Sequence, residues 1–231
     1  MTGLMGLSLM AHAAIAVDRT RVVFPGNQSS VSLNITNENL KLPFLAQSWL
    51  EDEQGKKLSS PFSVMPPLQR VESGKKSIIR INAGPEIKKL PQERESVFWL
   101  NVREIPPKSE KANVMQVALQ TRIKLFYRPA GVLSAKGEQQ NKKLILHKIA
   151  NGFRIENPTP FYQTVISITG GKQERVARSF RSVMVAPESS ATVTSRNFAT
   201  PWVTTINDYG GRPIIAFNCQ GDVCHAVDRA A

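Results

Sequence analysis

The chain has 231 residues, 41% of them apolar and 21% charged, with a formal net charge of +12 at pH 7. That is enough for one large or two ordinary hydrophobic cores without metal or several disulfides, and the composition excludes disordered and fibrous classes. The charge invites a nucleic-acid or membrane reading, but the excess is dispersed. Split near Ala130, the first part carries 18 basic against 11 acidic residues and the second 12 against 7, with no basic run longer than two residues and no stacking-aromatic motif, which argues against nucleic acid.

In chain order, the opening MTGLMGLSLMAHAAIA is an apolar run ending in small residues. Ala11-His12-Ala13 fits the small-x-small pattern of a signal-peptidase site, which predicts a leader over residues 1–13 and a mature start at Ala14. The run is too short to span a bilayer and no stop-transfer segment follows, so membrane insertion is not expected. The basic segment that normally opens a leader is missing, and a true start upstream of Met1 stays open.

Alternating segments then recur at Ser30–Thr36, Ser77–Asn82, Ser96–Glu104, Asn113–Pro129, Thr164–Thr169, Ser190–Ser195 and Arg212–Cys219, separated by Pro, Gly, Asn and Ser turns. Period-two alternation bounded by such turns predicts strands, and their spacing predicts an all-β sandwich architecture. Alternation stops over Tyr127–Gln140, which places a domain boundary there and gives domains of 14–130 and 131–231. The segment NVMQVALQTRIKLFYRP is unusual: Met115, Val117, Leu119, Thr121, Ile123, Leu125 and Tyr127 share one face of a run two to three times the usual strand length. Either that face belongs to the protein's own core, or its overhanging end buries against something else.

Cys219 and Cys224, in CQGDVC, predict a disulfide stapling a hairpin in an oxidising compartment. The rival is half a zinc site with His147 and His225, which lacks a second cysteine pair. Gly170–Lys172 reads as a hairpin turn. The chain lacks nucleophile-elbow, zinc-protease, phosphate-loop and dinucleotide motifs, so neither enzyme nor cofactor is implied, and no metal. The sequons at Asn27 and Asn34 keep a secreted immunoglobulin-like adhesion or binding module open as the alternative.

Six blocks carry a resemblance: DRTRVVF (Asp18–Phe24), LPFLAQSW (Leu42–Trp49), RESVFWLNVREIPP (Arg94–Pro107), LQTRIKLFYRP (Leu119–Pro129), RIENPTPFY (Arg154–Tyr162) and INDYGGRP (Ile206–Pro213). In order and spacing they resemble the periplasmic pilus-assembly chaperones typified by PapD. The brief EIPPKSEKAN connection is similar to the short-loop branch. The resemblance implies two immunoglobulin-like domains in a boomerang arrangement, no enzymatic activity and no nucleotide requirement. The implied partners are pilin subunits and an outer-membrane usher, and self-association of the free protein stays open. A pilin lacks its last strand, and the resemblance implies that Met115, Val117 and Leu119 are plugs donated into that groove. It also implies that Arg21 and Lys124 bind the pilin's C-terminal carboxylate in an interdomain cleft. Glu95, Arg128 and Asp208 match an interdomain charge network. Pro43, Leu45, Gln47, Pro66, Pro67 and Arg80 fall at or near usher-contact positions, where their plain reading is as loop or sheet-surface residues.

Overall fold

A computed structural model describes residues 13–109, 114–133 and 139–228. The predicted leader lies outside the described residues up to His12. The chain forms strands β1 (Ile15–Val17), β2 (Arg21–Pro25), β3 (Ser30–Asn37), β4 (Phe44–Glu51), β5 (Lys57–Leu58), β6 (Phe62–Met65), β7 (Leu68–Val71), β8 (Lys76–Ala83), β9 (Ser96–Ile105) and β10 (Gln120–Arg128). Then come β11 (Ile145–Ile149), β12 (Gly152–Asn157), β13 (Gln163–Thr169), β14 (Val183–Val185), β15 (Ser189–Thr194), β16 (Trp202–Ile206), β17 (Ile214–Gln220) and β18 (Val223–Val227). Among the described residues the helical pieces are short 3-10 turns, so the all-β expectation holds.

Contacts divide the chain into two compact units. The first takes in residues up to Asp18, Ser30–Gly84 and Trp99–Ile123; the second takes in Arg19–Ser29, Pro85–Phe98 and everything from Lys124. A four-stranded sheet runs β1-β3-β8-β6, and a second runs β2-β10-β9-β4-β5 with β7 also paired to β4. The alternation explains the first unit's core. Leu33 and Ile35 of β3 face inward, Leu33 sits opposite Ile79 of β8, and both are fully buried. On β4 the even positions Phe44, Ala46, Ser48 and Leu50 are buried. β9 lies between β4 and β10, and its sequence is correspondingly less alternating, with Phe98, Leu100, Asn101 and Val102 all buried.

In the second unit eight strands run β14-β13-β16-β17-β18-β11-β12-β15. The end strands β14 and β15 touch, so the sheet folds over onto a core that includes Leu146, Phe153, Ile155, Val165, Val203 and Phe217. Gly170–Lys172 forms no tight hairpin. It opens the longer connection from β13 to β14, in which the Glu174 N–H bonds Gly171 O.

Each unit also buries an asparagine at the end of a strand. Asn37 Nδ2 donates to the carbonyls of Leu42 and Val71, at 2.9 and 3.0 Å. Asn157 Nδ2 donates to those of Phe161 and Ala186, at 2.7 and 2.9 Å. Both satisfy loop carbonyls that folding removes from water.

The Cys219–Cys224 disulfide is present and closes the β17–β18 hairpin across a turn in which Gly221 has φ +60°. The zinc alternative therefore loses its thiolates, and His147 instead pairs with Glu156 at 2.8 Å. Loop closure over so few residues is worth about 2 kcal/mol. Reduction is expected to lower the melting temperature by only about 4–8 °C at that scale, and intact mass with and without reductant should show a two-proton difference. Complete unfolding on reduction would contradict the staple role.

Candidate functional site

β2 and β10 run parallel with Arg21 opposite Lys124. Val22 and Phe24 of β2 and Ile123 and Leu125 of β10 point into the core, so alternation turns both cations to the other face, side by side on strands about 4.8 Å apart. Both are partly buried. Burial lowers the pKa of the Arg21 guanidinium, an effect that Asp208 partly offsets. Burial, and then the neighbouring Arg21 charge, lowers that of the Lys124 ammonium. Arg21 Nη1 reaches the Ile206 carbonyl only at 3.5 Å, and its buried Nε–H finds no acceptor among the described residues. Two desolvated, mutually repelling cations with an unspent donor suit one ligand chemistry: an anion whose two oxygens accept from both, as a carboxylate does.

On the same strand as Lys124, Arg128 joins two carboxylates. Its Nε and Nη2 donate to Glu95 Oε1 at 2.8 and 2.7 Å, and its Nη1 and Nη2 to Asp208 Oδ2 and Oδ1 at 2.8 and 3.0 Å. The Tyr162 main-chain N–H completes Glu95 at Oε2, 2.8 Å away, and the Phe161 ring stacks on the guanidinium at 4.8 Å. Burial pushes the Glu95 carboxyl up against the pull of Arg128. Burial alone would lower Arg128, but its bonds to Asp208 and the charge of Glu95 raise it. Asp208 sits in a turn whose Asn207 Oδ1 accepts from the N–H groups of Tyr209 and Gly211. Gly210 there has φ +82°, and a Cβ on it would stand 2.7 Å from Thr20 Oγ1, so only glycine fits. Sequence reasoning missed Tyr162, which contributes through its backbone and leaves no side-chain signal.

The two arms of this network differ in worth. The Asp208 side chain is half exposed, so that arm contributes about 0–1 kcal/mol. Glu95 is buried, and Arg128→Met would leave its charge unpaired at a cost of about 3–5 kcal/mol. Urea unfolding of the single variant against Arg128→Met/Glu95→Gln should show the double variant recovering part of that loss. A single-variant loss below about 1 kcal/mol would contradict an ionised, Arg128-dependent Glu95.

The alternating run at 113–129 is corrected in length: β10 begins at Gln120, and residues 114–119 are in no strand. Asn113 lies outside the described residues. The physical reason is that, among the described residues, no strand pairs with residues 114–119. The Glu104 N–H bonds the Leu119 carbonyl at 3.0 Å, and the sheet takes in no residue upstream of Gln120. Ile123, Leu125 and Tyr127 are buried, whereas Met115 is 89% and Val117 65% exposed, with Leu119 partly buried between them. One face thus passes from core to solvent without losing its apolar period. The own-core reading fails for Met115 and Val117.

Of the remaining sequence candidates, Pro43, Leu45 and Gln47 are partly buried at and along β4, with Leu45 opposite Arg70 and Gln47 opposite Leu68 of β7. Pro66 and Pro67 are exposed, and the Pro67 carbonyl accepts from the Ser48 N–H at 2.8 Å. Arg80 is exposed on β8 opposite Met65, and so belongs to the other sheet. Exposed Met65 and Leu68 flank the proline pair, an apolar surface that sequence reasoning missed because β6 and β7 are too short to show a period.

Residues 14–133 match the family profile described as the pili and flagellar-assembly chaperone PapD N-terminal domain, and residues 139–215 that of the pili assembly chaperone PapD C-terminal domain. The chain belongs to the PapD family of pilus-assembly chaperones. It is 52% identical to the chaperone protein PapD of Escherichia coli over 93% of this chain and 90% of that one. To the chaperone protein PmfD of Proteus mirabilis it is 44% identical over 98% and 92%. Among solved structures, the periplasmic chaperone SfaE superposes with a TM-score of 0.72 at 34% identity, over 87% of this chain and 98% of that one. This PapD-family member is a chaperone of the periplasm, with the two-domain all-β fold of its relatives.

Proposed function

We propose that this chaperone captures a pilin subunit by laying residues 115–119 into the subunit's open groove. Met115, Val117 and Leu119 fill alternate pockets, and the exposed backbone pairs with the subunit's unpaired N–H and C=O groups. Arg21 and Lys124 take the subunit's terminal carboxylate, so that the anchor sits five residues beyond the last plug and fixes the register of the pairing. The observation that carries this reading is the apolar face that leaves the core at Ile123 and continues, still alternating, into solvent at Val117 and Met115.

The Glu95–Arg128–Asp208 network keeps the end of β10 and the 207–211 turn in fixed geometry. Pro43, Leu45, Gln47, Pro66, Pro67 and Arg80 contribute to usher contact, for which the exposed Met65 and Leu68 beside the prolines supply apolar area. The working domains are 14–130, with the donated strand, and 131–231, after a leader of 1–13; the spans of the two family profiles support this division. The protein does no catalysis: the donated strand is displaced by a better-fitting one, the N-terminal extension of the next pilin, with no nucleotide consumed. Co-expression in a periplasm with a pilin lacking that extension tests the reading. A stoichiometric complex, dissociated by a synthetic extension peptide without ATP, is expected; a pilin that aggregates as it does alone would overturn the reading.

A further inference from the structure

Glu104, in the REIPP block, is a buried carboxylate whose two oxygens are spent on main-chain N–H groups of two different segments. Oε2 accepts from the Ile15 N–H at 3.0 Å, at the start of β1, and Oε1 from the Leu119 N–H at 3.4 Å. The Glu104 N–H in turn donates to the Leu119 carbonyl at 3.0 Å, so one residue holds both backbone groups of Leu119. Leu119 is the last residue before β10, the point where the apolar face turns from core to solvent. Burying a carboxylate is costly unless hydrogen bonds satisfy it, and an aliphatic residue would serve a plain core position at less cost. The carboxylate therefore points to a task that only a double acceptor does: joining two segments through main-chain donors, one at the start of edge strand β1 and one just ahead of β10.

We propose that Glu104 is the positioning residue of the presented segment: it fixes the phase of Leu119, and hence of Val117 and Met115, and couples that phase to the start of β1. Side chains alternate with period two, so a one-residue slip at Leu119 would turn Val117 and Met115 to the opposite face and present Gln116 and Ala118 instead. The Gln116 side chain already occupies the other face, its Nε2 donating to the Pro107 carbonyl at 2.7 Å, which holds the upstream chain to the phase set at Leu119. The inference rests on the proposed donation of this segment.

Glu104→Gln tests it, because an amide of nearly the same size accepts through one oxygen only and sets an NH2 against the other N–H. In the full mature chain, hydrogen exchange of the Leu119 amide should quicken at least tenfold, a readout that involves no subunit. Capture of a pilin stripped of its N-terminal extension should weaken at least tenfold, while binding of a short peptide with a free C-terminal carboxylate to the Arg21–Lys124 pair changes less than twofold. Unchanged Leu119 exchange, or wild-type capture, would overturn the proposal, as would loss of peptide binding in step with capture, since that marks a general defect of the fold. If the variant does not fold, Glu104→Asp keeps the carboxylate but shortens its reach by one methylene, so that it no longer spans both N–H groups, and the same three measurements decide. Normal capture by Val117→Glu would sink the donation itself, whereas the Leu119 exchange rate reports on the tie regardless.

Discussion

Val117→Glu is expected to abolish subunit capture, by a hundredfold or more, while the free chaperone melts within a few degrees of wild type. The side chain is 65% exposed in the free protein, so a charge there meets water and perturbs stability by no more than a surface substitution does, about 0.5 kcal/mol. In a subunit pocket the balance reverses. The variant forfeits about 1.5–3 kcal/mol of valine burial and must desolvate a carboxylate with no partner, which costs several kcal/mol more. Each 1.4 kcal/mol is tenfold in affinity, so about 3 kcal/mol already gives the stated loss. Thermal melts and co-purification with a pilin check both halves. An unfolded variant would return Val117 to the chaperone's own core, and wild-type capture would remove it from the site.

Replacing both Arg21 and Lys124 with Ala is expected to cost subunit binding about 3–5 kcal/mol, about a hundredfold to a few thousandfold, through the loss of charge-assisted bonds to a terminal carboxylate. Unlike most losses of function, this one should leave the free protein as stable as wild type or slightly more so. The Lys124 pKa is lowered by burial and by Arg21, so folding disfavours its charged form. That cost is present in full at pH below the lowered folded value and fades as pH rises from there towards the ordinary lysine value. Truncating the side chain removes it at neutral pH. The sign for binding is opposite: a bound carboxylate favours the charged ammonium, so affinity for a free-carboxylate peptide falls as pH rises through the lowered Lys124 value, and amidating the peptide's C-terminus should flatten that dependence. Co-purification of subunits with the double variant, at wild-type yield, would take both residues out of the site.

Much of this was legible in the sequence, and the gaps have physical causes. Alternation located β3, β8, β9, β13, β15 and β17 to within a residue or two, because each buries one face or sits inside a sheet. It overran β10 by six described residues, since periodicity records which face is apolar and says nothing about whether a strand lies alongside. Short strands such as β5, with two residues, and β14, with three, cannot display a period at all. The pairing of Arg21 with Lys124 depends on a parallel β2–β10 contact between distant parts of the chain, which residue spacing does not encode; the family resemblance brought them together. Glu104 stayed hidden for a related reason: its partners are backbone N–H groups, which carry no residue identity.

The central claim is that residues 114–119 become a strand only when a subunit supplies the neighbour. Amide hydrogen exchange over that segment, in the free chaperone and in its complex with a pilin lacking the N-terminal extension, measures this most directly. The amides of residues 114–118, unlike the Leu119 amide that Glu104 ties, should exchange at nearly unprotected rates when free, and on binding alternate amides should slow by at least about a hundredfold as they enter a ladder with the subunit. Tight capture with exchange over 114–119 unchanged would contradict the account, since the subunit would then be held somewhere else.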